Sequence, residues 1–109
     1  MNLPTEVFGN VAVVHAPDEV GEEHAPGLLS FCTGLGQSQI VLDLDGTEFL
    51  DSAGLTAMLD AQDRLRVDDG DLKIATTNGV NRKILEITRL DQQLEVFDSV
   101  IDAVKSFRS

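Results

Sequence analysis

A strand, a helix and a second strand follow one another between residues 39 and 76, and this succession limits the possible folds more than any other feature. Residues 40–44 form a short, largely apolar run between turn formers, which predicts a buried strand. Apolar residues recur at helical spacing from Ser52 to the turn at 68–70, and a second apolar run covers 72–76. Parallel strands joined by a helix make a crossover that is almost always right-handed. We therefore expect an α/β fold whose central strands are parallel.

The segments on either side of this unit complete the predicted sheet. Two short β-prone runs flank Gly9-Asn10, a dipeptide typical of tight hairpins. A weaker helix is predicted around 22–35, a loop at 46–50 and a short strand at 94–97. We expect a mixed sheet of four or five strands, with the helices mainly on one face.

Two further helices are predicted in the last third of the sequence. One follows Asn78-Gly79, and the other is capped by Asp98 or Ser99. Both should pack on the sheet through apolar stripes at helical spacing. The predicted stripes are Val80, Ile84, Leu85 and Ile87 in the first helix and Val100, Ile101, Val104 and Phe107 in the second.

The length and the single cysteine indicate the class of protein. With 109 residues, the chain is expected to form one domain over 1–109. It has no run of about 20 apolar residues, and its first residues lack the basic and apolar segments of a secretory signal, so we expect a cytoplasmic protein. Cys32 has no second thiol for a disulfide or a cysteine-based zinc site, and we expect it in or near the core.

The charge of the chain argues against two classes of partner. Nineteen acidic and eight basic residues give a formal net charge of -11, a field that repels nucleic acid backbones and anionic membrane surfaces. The absence of Tyr and Trp also removes the usual platforms on which bases stack. Such a surface suits a protein partner with a basic face, although charge of this kind is also explained by solubility alone.

The best candidate site is the point where the central helix begins. In open α/β sheets the functional crevice lies beyond the carboxyl ends of the parallel strands, where helix N-termini expose backbone N–H groups. Asp51, Ser52, Ala53 and Gly54 occupy that place, and the small residues after Ser52 would leave its hydroxyl open to a second protein. From the residues alone, the simpler interpretation is that Asp51 or Ser52 caps the helix, a role that both residue types favour.

Other chemistry has little support in the sequence. The metal-ligand types between His15 and His24 match no zinc spacing, so no metal is expected. A serine hydrolase would need a histidine near Ser52, but the surrounding residues lack the G-x-S-x-G motif. Glycine-rich phosphate loops are also missing from the sequence. We therefore expect neither enzymatic activity nor a cofactor.

One motif and its context resemble a known family. A hydrophobic strand, a short loop and Asp51-Ser52-Ala53-Gly54-Leu55 at a helix start are similar to the signature of STAS domains. The similarity extends over roughly residues 5 to 107. Its later parts lie at 70–74, 78–85, 87–90 and 94–99. The resemblance implies a SpoIIAA-like STAS fold.

The resemblance also implies a function, that of the anti-sigma-factor antagonists of this family. In those proteins the serine after the aspartate is phosphorylated by a GHKL-type serine kinase that is also the anti-sigma factor; by resemblance this serine is Ser52. The unphosphorylated antagonist binds the anti-sigma factor and frees sigma for transcription, and a serine phosphatase restores this form. The resemblance places partner binding at Asp51, Ser52, Ala53, Gly54, Leu55 and Thr56.

The sequence departs from the family in two places. Gly21 stands where many members have an acidic residue near the phosphorylation site, and Pro26 and Gly27 make the first helix irregular. An alternative hypothesis keeps the fold but makes the chain a constitutive STAS module of a transporter or sensory complex. In that case Ser52 is only a structural helix cap.

Overall fold

The computed structural model describes residues 1–107, which form a five-stranded sheet, a second sheet of two short strands, and four helices. The strands are β1 (Thr5–Phe8), β2 (Val11–His15), β3 (Glu19–Val20), β4 (Gln39–Asp43), β5 (Phe49–Leu50), β6 (Asp71–Ala75) and β7 (Val96–Phe97). The helices are α1 (Ala25–Thr33), α2 (Ser52–Val67), α3 (Gly79–Ile87) and α4 (Val100–Ser106), with a 3-10 turn at Leu90–Gln92.

The main sheet has the predicted mixed topology. Its strand order is β1-β2-β4-β6-β7, in which β1 pairs with β2 antiparallel and all other neighbours are parallel. The strand, helix and strand predicted between 39 and 76 are β4, α2 and β6, and β4 and β6 are adjacent. The expected parallel centre of the sheet is therefore confirmed.

The core lies on both faces of this sheet, with three helices on one face and one on the other. Ala12 and Val14 of β2 face the larger core, which also receives Leu28 of α1, Met58 of α2 and Leu85 of α3. The opposite face, which includes Val11, Val13 and Val41, packs against Ala103 of α4. The helices thus lie mainly on one face, as expected. Cys32 is buried in the larger core, also as expected.

Three predicted burial positions are wrong. Val80 and Ile87 on α3 and Ile101 on α4 are exposed, each with more than half of its surface accessible. On α3 the inward positions are taken by Leu85 and by a polar residue, Asn81, which a search for apolar periodicity passes over. Ile101 lies next to Val100 and Val104, whose side chains are only half-buried at the end of the fold.

The boundaries of two predicted elements also differ from the structure. Only Val96–Phe97 of the strand expected at 94–97 pairs with β6. The first helix is shorter than the predicted 22–35 and has Pro26 in its first turn. The loop expected at 46–50 ends in β5, which pairs with β3. A strand of two residues has too few alternating positions to show a period in the sequence. Within residues 1–107, no helix is long and apolar enough to span a bilayer.

A histidine at the end of β2 is held between two carboxylates. Nδ1 of His15 lies 2.7 Å from Oδ2 of Asp43, and Nε2 lies 2.8 Å from Oε1 of Glu6. Ionised carboxylates only accept hydrogen bonds, so both contacts are satisfied together when both ring nitrogens carry protons. The hydrogen bond that His15 donates to Glu6 is the main reason that the pKa of His15 is raised above its ordinary value of 6.5. The imidazolium therefore joins β1, β2 and β4.

This cluster makes stability depend on pH. The folded state binds the proton more tightly than the unfolded state, so the contribution is present in full below pH 6.5 and is lost as pH rises through the higher folded pKa. We expect the stability difference between wild type and His15→Gln, measured by urea denaturation, to shrink as pH rises through that range. Glu6→Gln should retain only part of this dependence. A difference that stays constant with pH would contradict the expectation.

Candidate functional site

Ser52 is the first residue of α2 and is exposed, as the sequence predicts. Asp51, directly before it, has extended backbone angles and is the cap of the helix, since its side chain accepts a hydrogen bond from Gly54 N. The sequence left Asp51 and Ser52 open as alternatives for this role, and the structure assigns it to Asp51. The interpretation of Ser52 as the helix cap is therefore wrong.

The carboxylate of Asp51 joins two segments that are distant in sequence. Oδ1 accepts from the backbone N–H of Gly54 at 3.0 Å, and Oδ2 accepts from the N–H of Glu22 at 3.1 Å. The first bond lies within α2 and the second reaches the connection between β3 and α1. The N–H of Asp51 also donates to Val20 O at 3.3 Å. The start of α2 is thereby fixed to the end of β3.

Two glycines permit this close approach. An added Cβ at Gly54 would lie 2.1 Å from the backbone oxygen of Val20, far inside any allowed contact. A Cβ at Gly21 would lie 2.9 Å from Asp51 Oδ2 and 2.9 Å from a ring carbon of Phe49. A side chain at position 21 therefore requires the carboxylate of Asp51 and the ring of Phe49 to shift from their present positions.

The six residues predicted to bind a partner are not equally accessible. Ser52 and Thr56 are exposed and Asp51 and Ala53 half-buried, while Gly54 and Leu55 are buried. The two buried residues offer a partner little surface, because Leu55 belongs to the larger core and Gly54 packs on β3. Their effect on the site is to position the first turn of α2.

Sequence reasoning missed an apolar surface beside Ser52. Phe49 of β5 is 52% exposed. The chain has only five aromatic residues, and large apolar side chains of this kind are usually buried. On the other side of Ser52, a shallow cleft between α1 and α2 runs past Pro26, Leu29, Ala53 and Thr56. The available signal was Phe49 itself, an aromatic residue in a segment assigned to a loop.

The loop before β5 is held by α3. The amide of Asn81, which is 1% exposed, donates to Leu44 O at 3.1 Å and to Thr47 O at 2.8 Å. The buried hydroxyl of Thr47 donates to Pro17 O at 2.8 Å, which connects the same loop to the segment before β3. These bonds position β5, and hence Asp51 and Ser52, against the rest of the fold.

The surroundings of Ser52 are strongly acidic. Four exposed acidic side chains lie on the segments joined to Asp51: Glu19, Glu22, Glu23 and Glu48. Of the metal-ligand types noted between residues 15 and 24, His15 is engaged by Glu6 and Asp43. No group of three or more metal-ligating side chains is found among residues 1–107. The arrangement presents an accessible hydroxyl on an acidic, partly apolar surface.

Comparison with known proteins places this arrangement in a family. The model of the STAS domain matches residues 2–103. No curated protein matches the chain.

Three solved structures share the fold. An anti-sigma factor antagonist from Mycobacterium paratuberculosis is 22% identical, with a TM-score of 0.87 over 99% of this chain and 94% of that one. SpoIIAA in its unphosphorylated form is 14% identical, with a TM-score of 0.80 over 98% and 96%. The phosphorylated form of Bacillus SpoIIAA is 16% identical, with a TM-score of 0.68 over 97% and 99%.

The match to the family model covers nearly the whole chain, and the solved structures share the sheet and its helices. The predicted motif also stands in the expected context, directly after β5 and at the start of α2. The chain therefore belongs to the STAS domain family.

Proposed function

We propose that this protein is an anti-sigma-factor antagonist whose binding to its partner is controlled by phosphorylation of Ser52. The observation that carries the proposal is the exposed position of Ser52 at the first turn of α2, where Asp51 supplies the cap. The hydroxyl is thus accessible to a kinase without loss of the hydrogen bond that fixes the helix start.

A phosphoryl group at this position has opposite effects inside and outside the domain. It adds about -1.5 to -2 charges at pH 7 and three acceptor oxygens. The partial positive charge at the N-terminus of α2 offsets part of the cost within the fold. A partner packed against Phe49 and the α1–α2 cleft would instead meet increased negative charge on an already acidic surface. Release of the partner is the expected result.

The structural relatives support this type of switch. Their names describe anti-sigma factor antagonists, and SpoIIAA has been solved in unphosphorylated and phosphorylated forms. By resemblance to this family, we further propose that the partner is an anti-sigma factor that is also a GHKL-type serine kinase, and that a serine phosphatase reverses the modification. The chemistry belongs to these partners, so the chain acts in the cytoplasm as a binding protein without a cofactor.

The proposed unit is a single STAS domain over residues 1–109, of which 108 and 109 lie outside the described part of the structure. The formal net charge of -11 disfavours nucleic acids and anionic membranes as partners. A basic face on the kinase would complement the acidic residues around Ser52.

Phosphorylation is tested by intact-mass analysis after incubation with ATP and each GHKL-type kinase of the genome that encodes this chain. Wild type should gain one phosphoryl group and Ser52→Ala none. Thr88→Ala is the matched control, because Thr88 is an exposed hydroxyl at the end of α3, outside the predicted partner-binding residues, and its loss should leave the gain unchanged. No modification by any of these kinases would overturn the phosphoswitch and favour a constitutive binding module.

The effect on binding is tested with the kinase that the first experiment identifies. Wild type and Ser52→Ala should bind it, and phosphorylated wild type should bind at least about tenfold more weakly, a change of ~1.4 kcal/mol. Isothermal titration calorimetry measures each affinity. Equal affinities of the phosphorylated and unphosphorylated forms would show that Ser52 does not control binding.

A further inference from the structure

We propose that two copies of this protein associate through β1, the open edge strand of the main sheet. The proposal concerns a surface on β1 and α4 and does not depend on the function of Ser52. It rests on the hydrogen-bonding pattern of the hairpin, on the apolar side chains beside it and on the charge of this edge.

The backbone of β1 has groups that β2 does not use. The N–H of His15 donates to Pro4 O at 2.9 Å, which makes Pro4 and His15 a hydrogen-bonded pair of the antiparallel ladder. Hydrogen-bonded pairs alternate along such a ladder, so Glu6 and Phe8 also point their backbone groups at β2. The N–H and C=O groups of Thr5 and Val7 therefore point away from the sheet. An antiparallel copy of the same strand presents the pattern that pairs with them.

Apolar side chains flank this edge on both faces of the sheet. Val7 is paired with Ala12 and lies on the face of the larger core, where 57% of it is exposed. Phe8 is paired with Val11 on the α4 face and is 48% exposed. Phe8 and α4 enclose a cleft of about 210 Å³ lined by Val100, Ile101, Val104 and Lys105. Three of the exposed large apolar residues of the fold thus lie at one edge: Val7, Phe8 and Ile101.

The charge of β1 favours a second copy as the occupant. A protein with a formal net charge of -11 repels itself in general. The only charged residue of β1 is Glu6, and His15 pairs with its carboxylate at 2.8 Å. Asp43 lies on the other ring nitrogen at 2.7 Å, so two carboxylates and one imidazolium leave a net charge of -1 at this edge. This is less than the charge of the four exposed carboxylates around Ser52, so two such edges meet less repulsion.

The other edge of the sheet does not offer the same opportunity. β7 has two residues and is flanked by two ion pairs, Lys73–Glu95 and Arg82–Asp98. Short strands and charges are the usual protection of an edge against pairing. β1 is twice as long, with four residues, and only Glu6 among them is charged. Pairing through β1 would give one continuous sheet of ten strands, twice the five of a single chain.

The association is tested by sedimentation velocity over a range of protein concentrations. The mass should rise with protein concentration from the 11.8 kDa of one chain towards twice that value. Raised salt screens the net charge, so in raised salt this rise should occur at a lower protein concentration. Val7→Lys and Ile101→Lys should each weaken the dimer by at least about tenfold. Ile87→Lys is the matched control, because Ile87 is equally exposed but lies on α3.

Amide hydrogen exchange measured by NMR locates the contact. The amides of Thr5 and Val7 should exchange more slowly at concentrations at which the dimer forms. In the Val7→Lys variant, the amide of Thr5 should lose this protection. Circular dichroism verifies that each variant is folded. A protein that remains monomeric at all concentrations would overturn the proposal, as would a dimer in which the Thr5 and Val7 amides are unprotected or in which both lysine variants behave like Ile87→Lys.

Discussion

Replacing Gly54 with alanine is expected to destabilise the protein, although the same change in an open helical position is stabilising. Alanine normally gains about 0.5–1 kcal/mol over glycine within a helix. At Gly54, however, the new Cβ would lie 2.1 Å from Val20 O and 2.8 Å from Val20 Cγ1. Forcing β3 away from α2 should cost about 1–3 kcal/mol, as overpacking does in well-packed cores. The net change in the free energy of unfolding should therefore be a loss.

Gly79→Ala provides the matched control for this prediction. Gly79 is the first residue of α3, and nothing lies within 4 Å of the position of its Cβ. This variant should be neutral or more stable by up to about 1 kcal/mol, because alanine reduces the conformational freedom of the unfolded chain. Urea denaturation of both variants measures the contrast. Equal stability of the two would mean that β3 can move away from α2 at little cost.

Substitution of Asn81 should have a comparable or larger effect. Asn81→Leu keeps the branched shape of the side chain but removes its donor. Leu44 O still accepts from the Thr47 N–H, whereas Thr47 O is left with only the 3.5 Å contact from Asn78 Nδ2, and this loss should cost about 1–3 kcal/mol. Asn81→Asp should be worse at neutral pH, because it places a carboxylate against the carbonyl oxygens of Leu44 and Thr47. Acidification should restore part of the stability of the aspartate variant alone, since protonation returns a donor.

The same experiment reports on the site. Because Asn81 holds the loop that leads to β5, either substitution should also increase hydrogen exchange at residues 47–51. Lys83→Leu, on an exposed position of the same helix, introduces the same side chain and should change neither the stability nor the exchange. Denaturation and exchange that are unchanged in Asn81→Leu would show that the loop is held by its other contacts.

The central strands and α2 could be predicted from the sequence because burial on these elements follows a simple period. The strands β4 and β6 are largely apolar because helices cover both sides of the sheet, with Lys73 of β6 as a buried exception. The inward stripe of α2 is apolar except for Gln62. The inner face of α3 could not be predicted in the same way. Asn81 is buried there because its amide satisfies two distant carbonyls, and polar residues of this kind carry no apolar signal.

At the site, the sequence identified Ser52 as exposed but could not choose between Asp51 and Ser52 as the cap. That choice depends on Glu22, whose N–H lies against Asp51 only after β3 and β5 have paired. The exposure of Phe49 depends on the same pairing, and no local pattern specifies it. The exposure of Ser52 was therefore predictable, because it follows from its place at the start of a helix. The roles of Asp51 and Phe49 were not, because they depend on backbone groups that are distant in sequence.

The bond between Asp51 and the backbone beside Gly21 has a consequence for how this sequence can change over evolution. A side chain at position 21 requires the carboxylate of Asp51 to shift, because the added Cβ would lie 2.9 Å from its oxygen. We therefore expect a substitution at position 21 to be tolerated only where the carboxylate of Asp51 and the ring of Phe49 can turn aside, so the cap of α2 limits which residues this sequence can accept at that position.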